Sequence, residues 1–291
     1  MAMLKGISSQ LFLEEELTLD HLQIVQDAGF DRIEIVAIPP HFEYRNKRRV
    51  QELAAWLGDQ GAFLHSIHTP FSSDYQAMKA QQWLSVASVE RIHRQKAVDE
   101  IRRALELCEQ VSCPFAVLHM GSPGDPYRLK LLDALYQSLE ILVPFALARG
   151  TRIALENIPG QLSLLENIRR YLEESGQKEV GICFDTGHSN LTADPVHEID
   201  AAGGRILTTH LHDNLGKKDD HLLPFEGTIS WPEVVRSFER TEYSGCWMLE
   251  VKAGGESPES VLHAARSVCD RFESILEQVK NQPEGALTPS L

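Results

Sequence analysis

The alternation of apolar and polar positions switches repeatedly along this chain between the two-residue period of a strand and the 3.6-residue period of a helix. LKGISSQLF reads as a first strand and TLDHLQIVQDAGF as the helix that follows, closed by Gly29. DRIEIVAIP alternates as strand two, RNKRRVQELAAWLGDQG is helical, and AFLHSIHTPF is strand three, stopped by Pro70. A long amphipathic helix covers about 88–111, FAVLHMG is strand four, and a helix over 130–149 ends at Gly150. RIALENIP, VGICFDTGH, ILTTHLHDN and GCWMLEV are strands five to eight. Between them lie the helical segments SLLENIRRYLEESG, PVHEIDAAGG and SWPEVVRSFERTEY, the last with Pro232 in its first turn. SPESVLHAARSVCDRFESILEQV closes the series. Eight strands alternating with eight helices predict an α/β protein, a single (β/α)8 barrel over residues 1–280, with a doubly wound open sheet as the alternative. The tail 281–291, NQPEGALTPSL, is expected to be disordered.

Length agrees with one barrel, since such barrels commonly fill about 250 residues and this chain has 291. The balance of 42 acidic against 28 basic residues, a formal charge of -14, repels a phosphate backbone and disfavours nucleic acid as a partner. Five cysteines without a CxxC pair suit reduced thiols in the core. No run approaches the roughly 20 apolar residues of a membrane span, and the start MAMLKGISSQLF lacks the pattern of a secretory signal. A cytoplasmic protein without a membrane partner is expected, and a homo-oligomer is compatible with it. No glycine-rich dinucleotide fingerprint or P-loop follows any strand, so no nucleotide cofactor is expected.

Candidate chemistry sits where the strands end. In a (β/α)8 barrel the loops converge at the C-terminal ends of the strands while the interior is packed. Glu156 ends IALE, Asp185 ends ICFD, His210 lies in LTTH and Glu250 ends WMLE. Carboxylates beside a barrel core are costly unless paired or bound to a cation. The alternative for any one of them is a buried salt bridge, but no basic residue accompanies them within the strands apart from Lys252 after Glu250. Two glutamates, an aspartate and a histidine form a mixed oxygen and nitrogen set suited to Mn, Co, Zn or Mg. A second group, His68, His119, His188, Asp219 and His221, points to the same mouth. It serves either further metal ions or the hydroxyls and phosphate of a substrate around a single ion. Among other residues, His65 has the opposite pleat parity from His68 and is expected to pack behind the site. His212 shares parity with His210 and could replace or support it. Phe71, Phe225 and Trp231 are candidates for the wall of a sugar pocket, with simple packing as the alternative.

At LHMGSP, ALENIPG, CFDTGH, THLHDN, DDHLLPFEGTISW and MLEV, in that order, the chain resembles the xylose isomerase-like TIM-barrel superfamily over nearly its whole length. That superfamily includes sugar phosphate isomerases and epimerases as well as the endonuclease IV group. For the former, the resemblance implies one divalent ion at Glu156, Asp185, His210 and Glu250, with the two glutamates as acid and base. For the latter, it implies three zinc ions held by all nine residues. Phe225 stands where many relatives carry glycine, and SSDYQAM follows strand three where the endonuclease-like members carry basic DNA-gripping loops. The resulting expectation is a metal-dependent sugar or sugar phosphate isomerase or epimerase working through an enediolate. An endonuclease IV-like multi-zinc phosphoesterase and a noncatalytic sugar-binding barrel are the alternatives.

Overall fold

The computed structural model describes residues 3–60 and 63–281. Its parallel strands are β1 (Leu4–Ser8), β2 (Arg32–Val36), β3 (Leu64–His68), β4 (Phe115–His119), β5 (Arg152–Glu156), β6 (Gly181–Asp185), β7 (Ile206–His210) and β8 (Cys246–Leu249). They form one eight-stranded sheet in the order β7-β6-β5-β4-β3-β2-β1-β8, so a single (β/α)8 barrel is formed and the open-sheet alternative falls. The two ends of that order meet through side-chain as well as backbone bonds. Thr209 Oγ1 donates to Cys246 O at 3.1 Å and accepts from Met248 N at 3.2 Å, and Leu211 N donates to Met248 O at 2.8 Å. A hydroxyl thus replaces part of the ladder at the β7–β8 seam.

The helices are α1 (Leu19–Asp27), α2 (Lys47–Asp59), α3 (Tyr75–Lys79), α4 (Arg91–Leu105), α5 (Leu129–Leu147), α6 (Leu165–Ser175), α7 (Thr186–Thr192), α8 (Pro195–Ala202), α9 (Trp231–Arg240) and α10 (Pro258–Lys280). Local chemistry sets their starts: Thr18 and His21 form a capping box on α1, Asn46 caps α2, and Pro195, Pro232 and Pro258 occupy first turns. Two helices escape the periodicity, α3 and α7, because neither completes two turns and each begins directly after a strand or its loop. The first strand is also shorter than its sequence suggests. Ser8 accepts from Gln10 N through its hydroxyl and turns SQLF into a 3-10 helix. None of the helices among the described residues is long and apolar enough to cross a membrane. The expected disorder of the tail lies, from residue 282 onward, outside the described residues.

Two buried layers result. Outward strand residues such as Ile33 and Ile35 join the helices in the main core, while Val117, Ala154 and Cys183 form a separate cluster inside the barrel. Those three lie two positions before His119, Glu156 and Asp185, on the same face of their strands. An apolar plug therefore supports the polar mouth. Irregularities in register adjust this layering: Ile33 pairs with Leu64 but Glu34 pairs with Ser66, which makes His65 an extra residue in β3. His65 consequently turns into the barrel, where Nε2 meets Thr208 Oγ1 of β7 at 3.1 Å across the interior. The bulge corrects the pleat parity expected for His65.

Burial holds two histidines neutral, with His41 and His65 each pushed down to about 4. An unfolded chain takes up these protons near pH 6.5, whereas the folded one refuses them until about pH 4. Stability is fully present above the unfolded value and declines as pH falls through that window, by roughly 3 kcal/mol per histidine. Urea unfolding between pH 7 and 4 checks this, because His41→Gln should give a shallower acid decline than the parent.

Candidate metal and substrate site

All nine candidate residues converge on the C-terminal mouth of the barrel. His68, His119, Glu156, Asp185 and His210 are the last residues of β3, β4, β5, β6 and β7. Glu250 follows β8 directly, its backbone N–H donating to Leu211 O at 3.2 Å. His188 is carried by the first turn of α7, because Asp185 caps that helix through Oδ1, 2.7 Å from His188 N. TGH is helix, although its sequence pattern continues the strand. Asp219 and His221 arrive on the long loop after β7, with His221 at a positive φ of 51°.

Glu156 is the centre of the arrangement. Its Oε2 lies 3.1 Å from the Nε2 atoms of both His68 and His119, and its Oε1 lies 3.0 Å from His210 Nδ1. His210 Nδ1 is also 3.6 Å from Glu250 Oε2 and 3.9 Å from Asp185 Oδ2. His212 Nε2 meets Asp185 at 3.0 Å, and its ring stacks on His221 with centroids 4.0 Å apart. Asp219 Oδ2 stands between His221 Nε2 at 2.8 Å and His188 Nε2 at 3.5 Å. His212 thus joins the cluster beside His210, through Asp185.

Backbone carbonyls fix Nδ1 of several histidines as a donor, since a carbonyl oxygen only accepts. Nδ1 of His68 faces Thr69 O at 3.2 Å, Nδ1 of His188 faces Asn157 O at 2.9 Å, and Nδ1 of His221 faces Glu250 O at 2.9 Å. Each of these rings therefore turns Nε2 toward the mouth. His210 is reversed, with Nε2 directed into the barrel and Nδ1 toward the mouth.

Burial and mutual charge act against each other here. Burial pushes the Glu156 carboxyl up, but His210 and His119 outweigh it and hold the group well below its usual value. Asp185 and Asp219 are likewise pulled down against burial, by His188 and His212 in the first case and by His221 and His188 in the second. Glu250 is the exception, where burial wins over His210 and His221 and raises the carboxyl. Burial lowers His119, whereas Glu156 overcomes burial to raise His68. His188 is raised to about 10, because Asp185 and Asp219 outweigh its burial.

Three residues that the sequence pattern does not single out complete the site. Glu34 on β2 lies beneath His210, its Oε1 3.0 Å from Nε2. Asn157 extends the β5–β6 ladder beyond Glu156, donating to Asp185 O at 2.9 Å and accepting from Asp185 N at 2.8 Å. Asp213 organises the loop that carries Asp219 and His221, accepting from Trp231 Nε1 at 2.7 Å, Asn214 N at 2.9 Å, Phe225 N at 3.1 Å and Ile229 N at 3.2 Å. Trp231 is thereby fully buried, and Phe225 packs on Trp231, Phe272 and Arg271 at a positive φ of 77°. Neither lines the cavity, which corrects both as wall candidates. Phe71 does line it, together with Trp83, Leu13, Met78 and Ile158, around a space of about 400 Å³ that reaches the acidic floor.

Gly187 shows how tightly the mouth is assembled. A Cβ there would fall 1.9 Å from His212 Cε1, so the ring occupies the space a side chain would need. Gly187→Ala should displace His212 from Asp185 and destabilise the fold by about 1–3 kcal/mol, measurable as a lower urea midpoint.

The donor set fits a divalent cation. Donor atoms of Glu156, Asp185, His210 and Glu250 all lie within 4.8 Å of one another, the spread expected of atoms each about 2.0–2.4 Å from one centre. His68, His119 and Glu156 form a further group of this kind, as do Asp185, His188 and His212. Among the described residues no Lys or Arg pairs with these carboxylates, so the salt-bridge alternative fails. Asp219 Oδ1 is buried with no hydrogen-bond partner among the described residues and lies 3.8 Å from His212 Nε2, which leaves donor capacity at the edge of the cluster.

Known proteins share this architecture. An uncharacterized protein of Methanocaldococcus jannaschii is 30% identical over 257 residues, 85% of this chain and 83% of the relative. A probable endonuclease 4 of Carboxydothermus hydrogenoformans is 28% identical over 139 residues, 46% of this chain and 48% of that protein. Among solved structures, a D-tagatose 3-epimerase-like protein shares the fold with a TM-score of 0.77 at 24% identity, covering 95% of this chain and 99% of its own. A D-psicose 3-epimerase in the presence of D-fructose does so with a TM-score of 0.72 at 16% identity, covering 94% and 99%. Residues 22–271 match the model of the xylose isomerase-like TIM barrel, and the chain belongs to that family.

Proposed function

We propose that this chain is a divalent-metal-dependent isomerase or epimerase of a sugar or sugar phosphate, acting by proton transfer beside a carbonyl. The observation that carries this reading is the placement of two glutamates, Glu156 and Glu250, 3.0 Å and 3.6 Å from His210 Nδ1 along a cavity of about 400 Å³. Glu156, Asp185, His210 and Glu250 would hold the ion. When bound, it supplies a Lewis acid that polarises the substrate carbonyl and favours the negative charge of an enediolate. One glutamate removes the proton from the neighbouring carbon, and the other returns it on the opposite face or on the next carbon. His188 and His221 orient hydroxyls or a phosphate. Phe71 and Trp83, on the apolar wall, cover one face of the sugar and exclude water. The likeness in fold to sugar epimerases supports this class. Five buried, unbridged cysteines suit a reducing compartment, so the proposed location is the cytoplasm.

A second reading has its own observation. His68 and His119 converge on one oxygen of Glu156, and Asp219 stands between His188 and His221, as a multi-metal phosphoesterase of the endonuclease IV kind would require. Against it stands the charge of -14, with Lys79 and Lys252 the basic residues described along the cavity wall. Metal analysis of the purified protein separates the two, since about one ion per chain supports the isomerase and two or three zinc ions the hydrolase. Deuterium uptake from heavy water into a panel of ketoses and their phosphates, run beside cleavage of an abasic DNA duplex, names the reaction. Cleavage without exchange overturns the isomerase reading.

A further inference from the structure

Glu34 is a fully buried carboxylate in the middle of β2, and its one ion-pair partner among the described residues is His210. Ser8 of β1 donates to Oε1 at 3.0 Å, and Ser66 of β3 donates to Oε2 at 2.7 Å. His210 Nε2 completes the set at 3.0 Å from Oε1 and 3.2 Å from Oε2. The bulge at His65 makes this geometry available, because it brings Ser66 rather than its neighbour into register with Glu34. A carboxylate placed inside a barrel without Lys or Arg is costly to retain for packing alone.

We propose that Glu34 is a positioning residue of the candidate metal site: from inside the barrel it accepts the Nε2–H of His210, so that the proton a cation displaces is the one Nδ1 shares with Glu156 and the freed Nδ1 lone pair faces the donor cluster. This rests on the metal-dependent reading of the site. A histidine free to exchange tautomers or rotate about χ2 would spend part of its time offering an N–H to a cation. The other site histidines with assigned tautomers are held by backbone carbonyls and offer Nε2, whereas His210 offers Nδ1 and lacks such a carbonyl at Nε2. Glu34 takes that role. The competing view makes Glu34 only a staple between β1, β2 and β3, through Ser8 and Ser66.

The test uses the full chain, stripped with chelator and titrated with Co²⁺ by calorimetry. Glu34→Leu should weaken Co²⁺ binding by about 10–100-fold, the range found when partners behind metal-ligating histidines are lost. Glu34→Gln keeps an acceptor for Nε2–H and should lose clearly less. Ser66→Ala, which cuts the staple but not the His210 contact, should bind as the parent does even if it unfolds at lower urea. Nitrogen-15 NMR of histidine-labelled, zinc-loaded parent protein gives a readout independent of any variant's folding, with His210 expected to bind zinc through Nδ1 and to carry its proton on Nε2. A neutral His210 protonated only at Nδ1 overturns the proposal, as does Glu34→Leu binding Co²⁺ with parental affinity. A parent that binds no divalent ion fails the metal reading of the site, whereas a parent that binds one and gives either of those two results fails the role of Glu34 alone.

Discussion

Glu250→Gln should lower turnover of whichever sugar the protein converts by about a thousandfold, within the 10²–10⁴ range of a lost acid or base, and abolish deuterium exchange with solvent. Glutamine matches glutamate in shape, so the mouth keeps its packing, but the amide cannot carry a proton between substrate carbon and solvent. Glu250 is well placed for that role. It is buried, its Oε2 lies 3.6 Å from both His210 Nδ1 and His221 Nδ1, and it borders the cavity. The substitution also removes one negative charge from the proposed donor set, so metal content must be measured on the same sample. A variant that keeps its metal and loses exchange assigns the effect to proton transfer. Undiminished exchange in Glu250→Gln would eliminate the two-glutamate mechanism.

Stripping the protein of divalent ions should abolish turnover and lower its thermal midpoint by several degrees, with both restored on reloading. An ion present at a hundred times its dissociation constant stabilises the native state by about 2.7 kcal/mol. Affinity should rise with pH. Asp185 and Asp219 hold His188 up to about 10 against its burial, and Glu156 raises His68 in the same sense. The His188 ring carries a second proton at neutral pH in the metal-free protein, and a cation must displace it to use the ring nitrogen. Below these raised values protons compete with metal, and above them competition ends, so the apparent association constant should climb by about tenfold per pH unit for each proton displaced. Calorimetry in buffers of different ionisation enthalpy counts those protons. An affinity that falls between pH 6 and 8 would show that the raised histidines take no part in binding.

Much of this site is legible in the amino-acid sequence, for a reason specific to parallel barrels. Outward strand positions are covered by helices and must be apolar, so a charged residue ending an apolar run can only face the mouth. Glu156, Asp185 and His210 are readable on that ground, and the structure gathers them with Glu250. Glu34 obeys the same rule but stays hidden. It lies in the middle of RIEIV, where an alternating pattern looks the same whether its polar face meets solvent or the barrel interior. Period two identifies two faces and does not say which one is inside.

The chain by itself determined the eightfold strand-helix repeat and the end of the barrel at which chemistry gathers, because both follow from local periodicity and from the cost of burying charge. Tertiary structure alone decided what depends on register and on distant partners. The bulge in β3 turned His65 inward and aligned Ser66 with Glu34, and the Asp213 loop drew Trp231 and Phe225 away from the cavity. His210 Nε2 is met across the barrel by a carboxylate 176 residues away in the chain. Contacts of that separation form only when the sheet closes, since local sequence carries no record of which strand will lie opposite.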